Sequence, residues 1–237
     1  MEIKKILIYK DKKFYWKEHD FHSSYGVLKE EDIKQAKSGS KIFSNTDKEF
    51  LVLDANFQDN LKKLKRGPAI IINKDIGPIL ANANLTKDST VLEAGSGSGS
   101  LTINLARFCK EVISYEKNQQ SCKIVETNLK KLDIENVKLI NKDIQEATEK
   151  ADTIILDLPN PEEYLETCHK LLSSKGYLIT YLPTINQVDN LIKNSKNFIH
   201  EKTIETLERS WHIEKHRLRP KSQMIAHTAF LTFLRKV

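Results

Sequence analysis

The stretch Val91–Gly99, which reads VLEAGSGSG, decides the fold of this chain. A short apolar run ends at Glu93, three alternating glycines follow, and the next residues, SLTINLARF, have the apolar spacing of a helix. Glycines at these positions can adopt positive φ and let the backbone approach a ligand where a Cβ would collide. The sequence therefore predicts a strand, a glycine turn and a helix that together bind a cofactor.

The spacing of the glycines distinguishes between two cofactors. A dinucleotide fold has the pattern G-x-G-x-x-G, with the pyrophosphate on the helix N-terminus. Here Gly99 comes one residue early and a glutamate precedes the first glycine, which favours S-adenosylmethionine (SAM) over NAD. A lone G-x-G-x-G also occurs in ordinary turns, so the interpretation depends on further residues.

The composition predicts a globular protein with one large and one small domain. The chain has 237 residues, which is enough to bury a sizeable core. No run approaches the roughly 18 apolar residues of a membrane span, and the N-terminus MEIKKILIYKDKK is too charged for a signal peptide. We therefore expect a cytoplasmic protein without membrane contact. The cysteines lack C-x-x-C spacing and His19 and His22 have no further ligands nearby, so neither disulfides nor a metal are expected.

Basic charge flanks an acidic middle in this chain. Residues 1–74 carry 16 Lys and Arg against 11 Asp and Glu, residues 75–200 carry 14 against 17, and residues 201–237 carry 8 against 4. This distribution suits a polyanion that is held by the two ends while chemistry takes place at the centre. A lysine-rich surface that serves solubility alone is the alternative explanation.

The pattern of elements changes near residue 65. Residues 1–65 contain short alternating runs typical of a small β-rich domain. From 66 to 237 strands alternate with helices, which predicts an α/β fold with a mostly parallel, Rossmann-like seven-stranded sheet. Segments 199–213 and 224–235 are predicted as two long strands of a closing antiparallel hairpin, with HRLRPK in its loop. The other predicted strands are 90–94, 111–115, 137–141, 152–157 and 176–182, and the helices are 76–84, 99–108, 118–132, 161–173 and 185–195.

Three acidic residues follow predicted strands in the same way as the glycine turn. In a doubly wound sheet the ligand lies beyond the carboxyl ends of the strands. Glu116 is placed to accept ribose hydroxyl protons, Asp143 to accept from an adenine amino group, and Asp157 follows a fully apolar strand. Considered alone, Glu116 is explained as a solvated carboxylate at a strand end, and Asp143 as a helix N-cap. Asp157 is harder to explain in this way, because burying a carboxylate costs free energy unless it has a partner or a function. Their joint position predicts one site.

Six strings, in this order, resemble the SAM-dependent tRNA (adenine-N1)-methyltransferases that modify the T-loop of tRNA, in their archaeal and bacterial single-chain form. The strings are VLEAGSGSGSLT, SYE, LDLPNP, YLPTINQV, RSWHIEKHRLRP and MIAHTAFL. The resemblance covers the chain from about residue 66 onward and extends weakly to SSYGVL near the N-terminus. It implies a SAM-dependent methyltransferase domain at 66–237, methyl transfer to N1 of adenosine 58 and in some members 57, tRNA as the substrate, and a homotetramer.

The resemblance also implies roles for individual residues. Asp157 would be the catalytic carboxylate. The residues that would hold SAM are Glu93, Gly95, Ser96, Gly97, Ser98, Gly99, Ser100, Leu101, Glu116, Lys117, Asp143, Ile144 and Asp157. The residues that would bind the substrate are Tyr181, Arg209, Trp211, Arg217, Arg219, His227 and Thr228. Further basic candidates for phosphate contacts are Lys12, Lys13, Lys62, Lys63, Lys65, Arg66 and Lys221.

One departure from the family's pattern affects the expected site. A Tyr-Pro pair commonly precedes Lys-Asp at the start of the first helix, and here Ile72 and Asn73 stand in its place while Lys74 and Asp75 are retained. An aromatic contact to the base or the cofactor is therefore expected to be missing. Two alternatives stay open: a SAM-dependent methyltransferase that acts on a small molecule or a protein, and a tRNA-binding paralogue that has lost catalysis.

Overall fold

The computed structural model describes residues 2–67, 70–214 and 216–237. The chain divides into two compact units, one ending at Leu64 and the other running from Lys65 to Val237. Each unit has buried hydrophobic clusters of its own. Of the helices in the described part of the chain, none combines the length and the apolar character that a membrane crossing requires.

The N-terminal unit is rich in short strands, as predicted. Four of them form an antiparallel sheet in the order β2-β1-β6-β5, and β3 pairs with β4 in a separate hairpin. Because side chains alternate between the two faces of a strand, Leu7, Trp16 and Phe50 point into the same core. The elements are β1 (Lys5–Tyr9), β2 (Lys12–Trp16), β3 (Phe21–Ser23), β4 (Gly26–Leu28), α1 (Glu30–Gln35), β5 (Lys41–Phe43), β6 (Glu49–Asp54) and α2 (Phe57–Leu61).

The C-terminal unit contains a seven-stranded sheet in the order β12-β15-β11-β10-β7-β8-β9. The strands β7 to β11 are parallel, and β15 runs antiparallel between β11 and β12. The predicted Rossmann-like sheet is thereby confirmed. The elements are α3 (Asn73–Asn82), β7 (Thr90–Ala94), α4 (Ser100–Leu105), β8 (Glu111–Tyr115), α5 (Gln119–Lys131), β9 (Val137–Ile140), β10 (Ala151–Leu156), α6 (Leu165–Leu171), β11 (Leu172–Leu182), α7 (Ile185–Asn194), β12 (Phe198–Glu205), β13 (Trp211–Glu214), β14 (Arg217–Pro220) and β15 (Phe230–Lys236).

Apolar runs form the central strands because both faces of this sheet are covered. In β7, Val91 packs into one hydrophobic cluster and Leu92 into the cluster on the opposite face. Neighbouring Ile154 and Ile155 of β10 divide in the same way. A parallel strand buried on both faces needs consecutive rather than alternating apolar residues, and the sequence before the glycine turn has them.

The structure corrects three predicted elements, since the strand expected at 224–235 begins only at Phe230. The long strand expected at 199–213 ends at Glu205, and β13 and β14 form a separate two-stranded hairpin, so RLRP lies in a strand and not in a loop. Its apolar residues Ile213 and Leu218 are exposed, whereas the prediction placed Ile213 in a strand of the closing hairpin and Leu218 in the loop of that hairpin. The helix expected at 161–173 is a 3-10 turn followed by α6, because Leu172 already pairs with Ala151 in the sheet. We refer to residues 207–214 and 216–227 as the arm.

Candidate cofactor and substrate site

The register of the sheet brings several strand ends into one row. Ala94 at the end of β7 lies beside the last residues of β8 and β10, and β9 and β11 continue the row on either side. The next residues along these five strands are therefore neighbours at the carboxyl edge, where α/β sheets bind their ligands. In the order of the sheet these residues are Tyr181, Asp157, Gly95, Glu116 and Asn141.

Gly95 occupies a position that only glycine fits. Its φ is +89°, and its N–H donates to the carbonyl of Tyr115 at 3.0 Å. A Cβ on Gly95 would lie 2.3 Å from the carbonyl oxygen of Asp157, which is closer than any real contact. The backbone of the turn and the backbone after β10 are thus in direct contact. The glycine turn and the segment that carries Asp157 therefore lie together at the edge of the sheet.

Glu116 is fixed through both carboxylate oxygens, one of which bonds to the glycine turn and the other to the loop that follows β8. Its Oε2 accepts from the N–H of Gly97 at 3.1 Å, and its Oε1 accepts from the N–H of Asn118 at 2.8 Å. The side chain is only partly buried. A fixed, solvent-reaching carboxylate at this strand end is suited to accept hydroxyl protons from a ribose. The structure thus places Glu116 beside the turn.

Glu93 lies beneath the glycine turn and not at its surface. Only 1% of the residue is exposed, and its Oε2 accepts from the hydroxyls of Thr102 at 2.5 Å and Ser114 at 2.6 Å. Burial raises the pKa of Glu93 to about 7, although these two hydrogen bonds act in the opposite direction. The side chain therefore joins the turn to α4 and β8. Sequence reasoning expected a direct cofactor contact, and the geometry gives this carboxylate internal partners instead.

Asp157 has a partly buried carboxylate without a protein donor. Its backbone N–H donates to the carbonyl of Ala94 at 2.9 Å, but no residue in the described ranges donates a hydrogen bond to its side chain. Burial raises the pKa of Asp157 to about 6, and the negative charge of Glu116 contributes to the rise. A half-buried carboxylate with a raised pKa and no partner is typical of a group that meets a ligand.

Asp143 serves as a helix cap and also belongs to the site region. One oxygen accepts from the N–H of Gln145 at 2.9 Å, and the other forms an ion pair with Lys117. Burial alone would raise the pKa of Asp143, but the bonds from Gln145 and Lys117 outweigh it and lower the pKa. The side chain of the next residue, Ile144, is buried in the core.

The remaining residues of the turn are held by their own side chains. Ser96 and Ser114 share a hydrogen bond of 2.6 Å, and Ser98 accepts at 2.8 Å from the N–H of Gly67. Ser100 begins α4, while Leu101 packs in the core. These side chains shape the turn from behind.

Sequence reasoning missed a buried ion pair at the start of α3. The ammonium of Lys74 lies 2.7 Å from Oδ1 of Asp75, and their side chains are 3% and 1% exposed. Oδ2 of Asp75 accepts from Thr228 at 2.7 Å and from the hydroxyl of Tyr181 at 3.3 Å. Burial raises the pKa of Tyr181 to about 12, so this hydroxyl keeps its proton. The adjacent Lys and Asp were the only signal in the sequence. The half-buried Ile72 directly precedes α3, which begins at the exposed Asn73.

The substrate-binding residues predicted on the arm lie on its surface. Trp211 is 56% exposed, and Arg209, Arg217 and Arg219 are exposed as well. Arg219 donates to Ser222 within the arm at 3.2 Å. Among the described residues, none of these four side chains is hydrogen-bonded or ion-paired to Glu116, Asp143 or Asp157.

His227 lies where the arm rejoins the sheet. Its Nδ1 is 2.5 Å from Oε1 of Glu205, and its Nε2 is 2.8 Å from the carbonyl oxygen of Pro183. Both partners are hydrogen-bond acceptors, which favours the protonated form of the ring. The Pro183 carbonyl and then Glu205 raise the pKa of His227. The ring thereby ties the end of the arm to the segment after β11.

Comparison with known proteins identifies the family. The family described as "tRNA methyltransferase complex GCD14 subunit" matches residues 61–229. The chain belongs to this family. It is 30% identical to the tRNA (adenine(57)-N(1)/adenine(58)-N(1))-methyltransferase TrmI of Methanocaldococcus jannaschii, over 91% of this chain and 87% of that protein.

Two solved structures extend the match to the fold. The tRNA (m1A58) methyltransferase TrmI from Aquifex aeolicus has a TM-score of 0.86 at 31% identity, covering 99% of this chain and 96% of that one. A structure described as a SAM-dependent O-methyltransferase from Thermotoga maritima has a TM-score of 0.88 at 29% identity, covering 100% and 93%. The chain therefore has a methyltransferase fold over its whole length.

Proposed function

We propose that this protein transfers a methyl group from SAM to N1 of adenosine 58 in the T-loop of tRNA. Methylation of the neighbouring adenosine 57 is a second part of the proposal. The observation that carries the proposal is the row of strand ends, in which the unpartnered Asp157 lies directly beside Gly95. Membership of a tRNA methyltransferase family and the similarity to TrmI support the choice of substrate.

The residues at the edge fit SAM. Gly95 lets the backbone of the turn pack directly against the backbone of Asp157, and Glu116 presents a fixed carboxylate one strand away. Asp143 follows the next strand in the sheet. When bound, SAM supplies a methyl group that is already activated by its sulfonium charge. Carboxylates around this edge also suit a cationic ligand.

Asp157 would act on the adenine. Adenine N1 carries a lone pair and no proton, so it can attack the methyl carbon directly as the carbon–sulfur bond breaks. The Asp157 carboxylate can accept a hydrogen bond from the N6 amino group, which orients the ring. Its negative charge favours the cationic product, and a pKa of about 6 lets it take the N6 proton near neutral pH.

The arm would hold the tRNA. N1 of the target adenine is engaged in the folded T-loop, so the nucleotide must be extruded at a cost of a few kcal/mol. Phosphate contacts from Arg209, Arg217 and Arg219 would offset this cost, and the exposed ring of Trp211 offers a surface for stacking.

The test is methylation of an unmodified tRNA transcript with methyl-labelled SAM, followed by mapping of primer-extension stops. We expect one stop at adenosine 58, and a second at 57 if both are modified. A transcript with guanosine at 58 is the matched control. SAM binding without label on tRNA would favour the small-molecule or protein substrate, an alternative kept open by the similarity to a structure described as an O-methyltransferase. Failure to bind SAM would favour the non-catalytic paralogue.

We further propose that the protein is a homotetramer. The arm exposes several large apolar side chains, which suits contact with another subunit. Light scattering coupled to size-exclusion chromatography tests this, and a monomer in solution would overturn it. The cytoplasmic location stays a prediction. Besides Trp211, the exposed apolar residues of the arm are Leu207, Ile213, Leu218, Met224 and Ile225.

A further inference from the structure

The arm leaves the sheet at two roots, and one ammonium group contacts both. Thr206 follows β12 and Thr228 precedes β15. The Nζ of Lys74 donates to the carbonyl oxygen of Thr206 at 2.9 Å and to Oγ1 of Thr228 at 2.5 Å. These contacts link the start of α3 to both ends of a segment more than 130 residues later in the chain.

The hydrogen bonds of this network are complete. A lysine ammonium has three donors, and here they reach Asp75, Thr206 and Thr228. The Thr228 hydroxyl in turn donates its proton to Asp75. Because Lys74 and Asp75 are buried, neither charge can exchange its partner for water without a large penalty. The network therefore holds the roots in one arrangement.

The same network reaches the catalytic edge. Leu156 pairs with Thr180, so Asp157 and Tyr181 are next to each other on adjacent strands. The Tyr181 hydroxyl donates to the oxygen of Asp75 that also binds Thr228. One carboxylate thus contacts both a root of the arm and the immediate neighbour of Asp157.

We propose that Lys74 and Asp75 are positioning residues that fix the arm relative to Asp157, so that an RNA bound by the arm is aligned for methyl transfer. The part that concerns RNA rests on the proposed function, whereas the fixing of the arm does not. The Thr228 hydroxyl, predicted from the sequence to bind substrate, then acts through Lys74 and Asp75.

Thr228→Val tests the proposal because valine keeps the shape and removes the hydroxyl. Substitution of Lys74 or Asp75 would leave a buried charge without a partner and endanger folding. The matched control is Thr203→Val, which removes a threonine hydroxyl bonded at 3.1 Å to Thr232 between β12 and β15. Thr228→Ser restores the hydroxyl and should rescue the effect.

Two measurements are compared across wild type, T228V, T228S and T203V. Hydrogen exchange of the root amides at 205–208 and 226–229 should be about ten-fold faster in T228V alone, as expected for loss of hydrogen bonds to charged groups. Steady-state methylation should show a KM for tRNA raised about ten-fold in T228V, on the same basis, with the Kd for SAM within roughly two-fold of wild type.

The outcomes separate the inference from the proposed function. Wild-type exchange and wild-type KM in T228V would overturn the inference, as would equal effects in T203V or no rescue by T228S. If wild type methylates no tRNA but root exchange still rises in T228V alone, the proposed substrate is wrong and the fixing of the arm is supported. Full agreement of both measurements supports the complete proposal.

Discussion

The cofactor edge and the arm belong to one unit but are held in different ways. At the edge, Gly95, Glu93 and Glu116 are fixed by hydrogen bonds to the strands and helices around them. In the arm, the cationic and apolar side chains are exposed and the strong contacts lie at the two roots. Under the proposed function, a small ligand of constant shape would meet a preformed turn, whereas a large polyanion would meet an open surface that is held firmly only at its two roots.

The largest effect is expected from removal of the free charge at the edge. Asp157→Asn should lower kcat by on the order of 10² to 10⁴, because the amide neither takes a proton nor stabilises a cation, with little change in the Kd for SAM. Single-turnover methylation and equilibrium binding measure the two quantities. Asp152→Asn is the control, since Asp152 begins the same strand and accepts from the N–H of Thr90, which an amide oxygen can still do. Wild-type turnover in D157N would remove Asp157 from the chemistry.

The second largest effect is expected from a substitution that tests the close contact between Gly95 and the backbone of Asp157. Gly95→Ala should lower the free energy of unfolding by roughly 2–4 kcal/mol and abolish SAM binding, because the added Cβ collides with Asp157. Gly39→Ala isolates the collision, since Gly39 has φ of +88° and nothing within 4 Å of an added Cβ. That control should cost only about 1 kcal/mol. Equal losses in urea unfolding would show that backbone conformation, and not contact with Asp157, requires glycine.

A smaller effect depends on pH. The folded-state pKa of Glu93, about 7, lies above its ordinary value of 4.5. The contribution of the protonated side chain to the free energy of unfolding is therefore fully present below pH 4.5 and is lost as the pH rises through 7. Glu93→Gln cannot ionise, and its stability relative to wild type should rise by on the order of 2–3 kcal/mol from pH 4.5 to pH 8. Urea unfolding at both pH values measures this.

Glu149→Gln is the control of opposite sign for that titration. The bonds from Lys138 and Tyr115 lower the pKa of Glu149 to about 2, so its stabilisation is present above pH 4.5 and is lost as the pH falls toward 2. E149Q should therefore be less stable than wild type at pH 8. A relative stability of E93Q that does not change with pH would mean that Glu93 is ionised with an ordinary pKa beneath the turn.

The smallest effect is expected on the arm. Arg219→Ala should weaken tRNA binding by a few-fold and reduce the slope of log K against log salt by about 1, as for the loss of one phosphate contact. Filter binding at several salt concentrations measures both. Arg235→Ala is the control, because Arg235 lies on β15 and pairs with Glu201. An unchanged slope in R219A would show that the arm binds something other than phosphate at this position.

The sequence predicted the strands that lead to the cofactor edge better than the arm, and the reason is physical. Runs such as VLEA and TIIL are buried on both faces, so their apolar pattern reports directly on the sheet. The arm strands carry apolar residues that are exposed, and a pattern alone does not distinguish these from a core strand. The network at Lys74 was missed because its side-chain partner Thr228 lies 154 residues away, and only folding brings the two together.

The place of β15 in the sheet has a consequence for synthesis on the ribosome. β15 is the last of the seven strands to be translated, yet it lies between β11 and β12. Until it emerges, β12 has no hydrogen-bonding neighbour and β11 presents an open, apolar edge, which is a surface prone to pairing with other chains. Thr228 also emerges after every other member of the Lys74 network. The nascent chain can therefore form its glycine turn well before the hydrogen bonds of Thr228 with Lys74 and Asp75 can fix the arm.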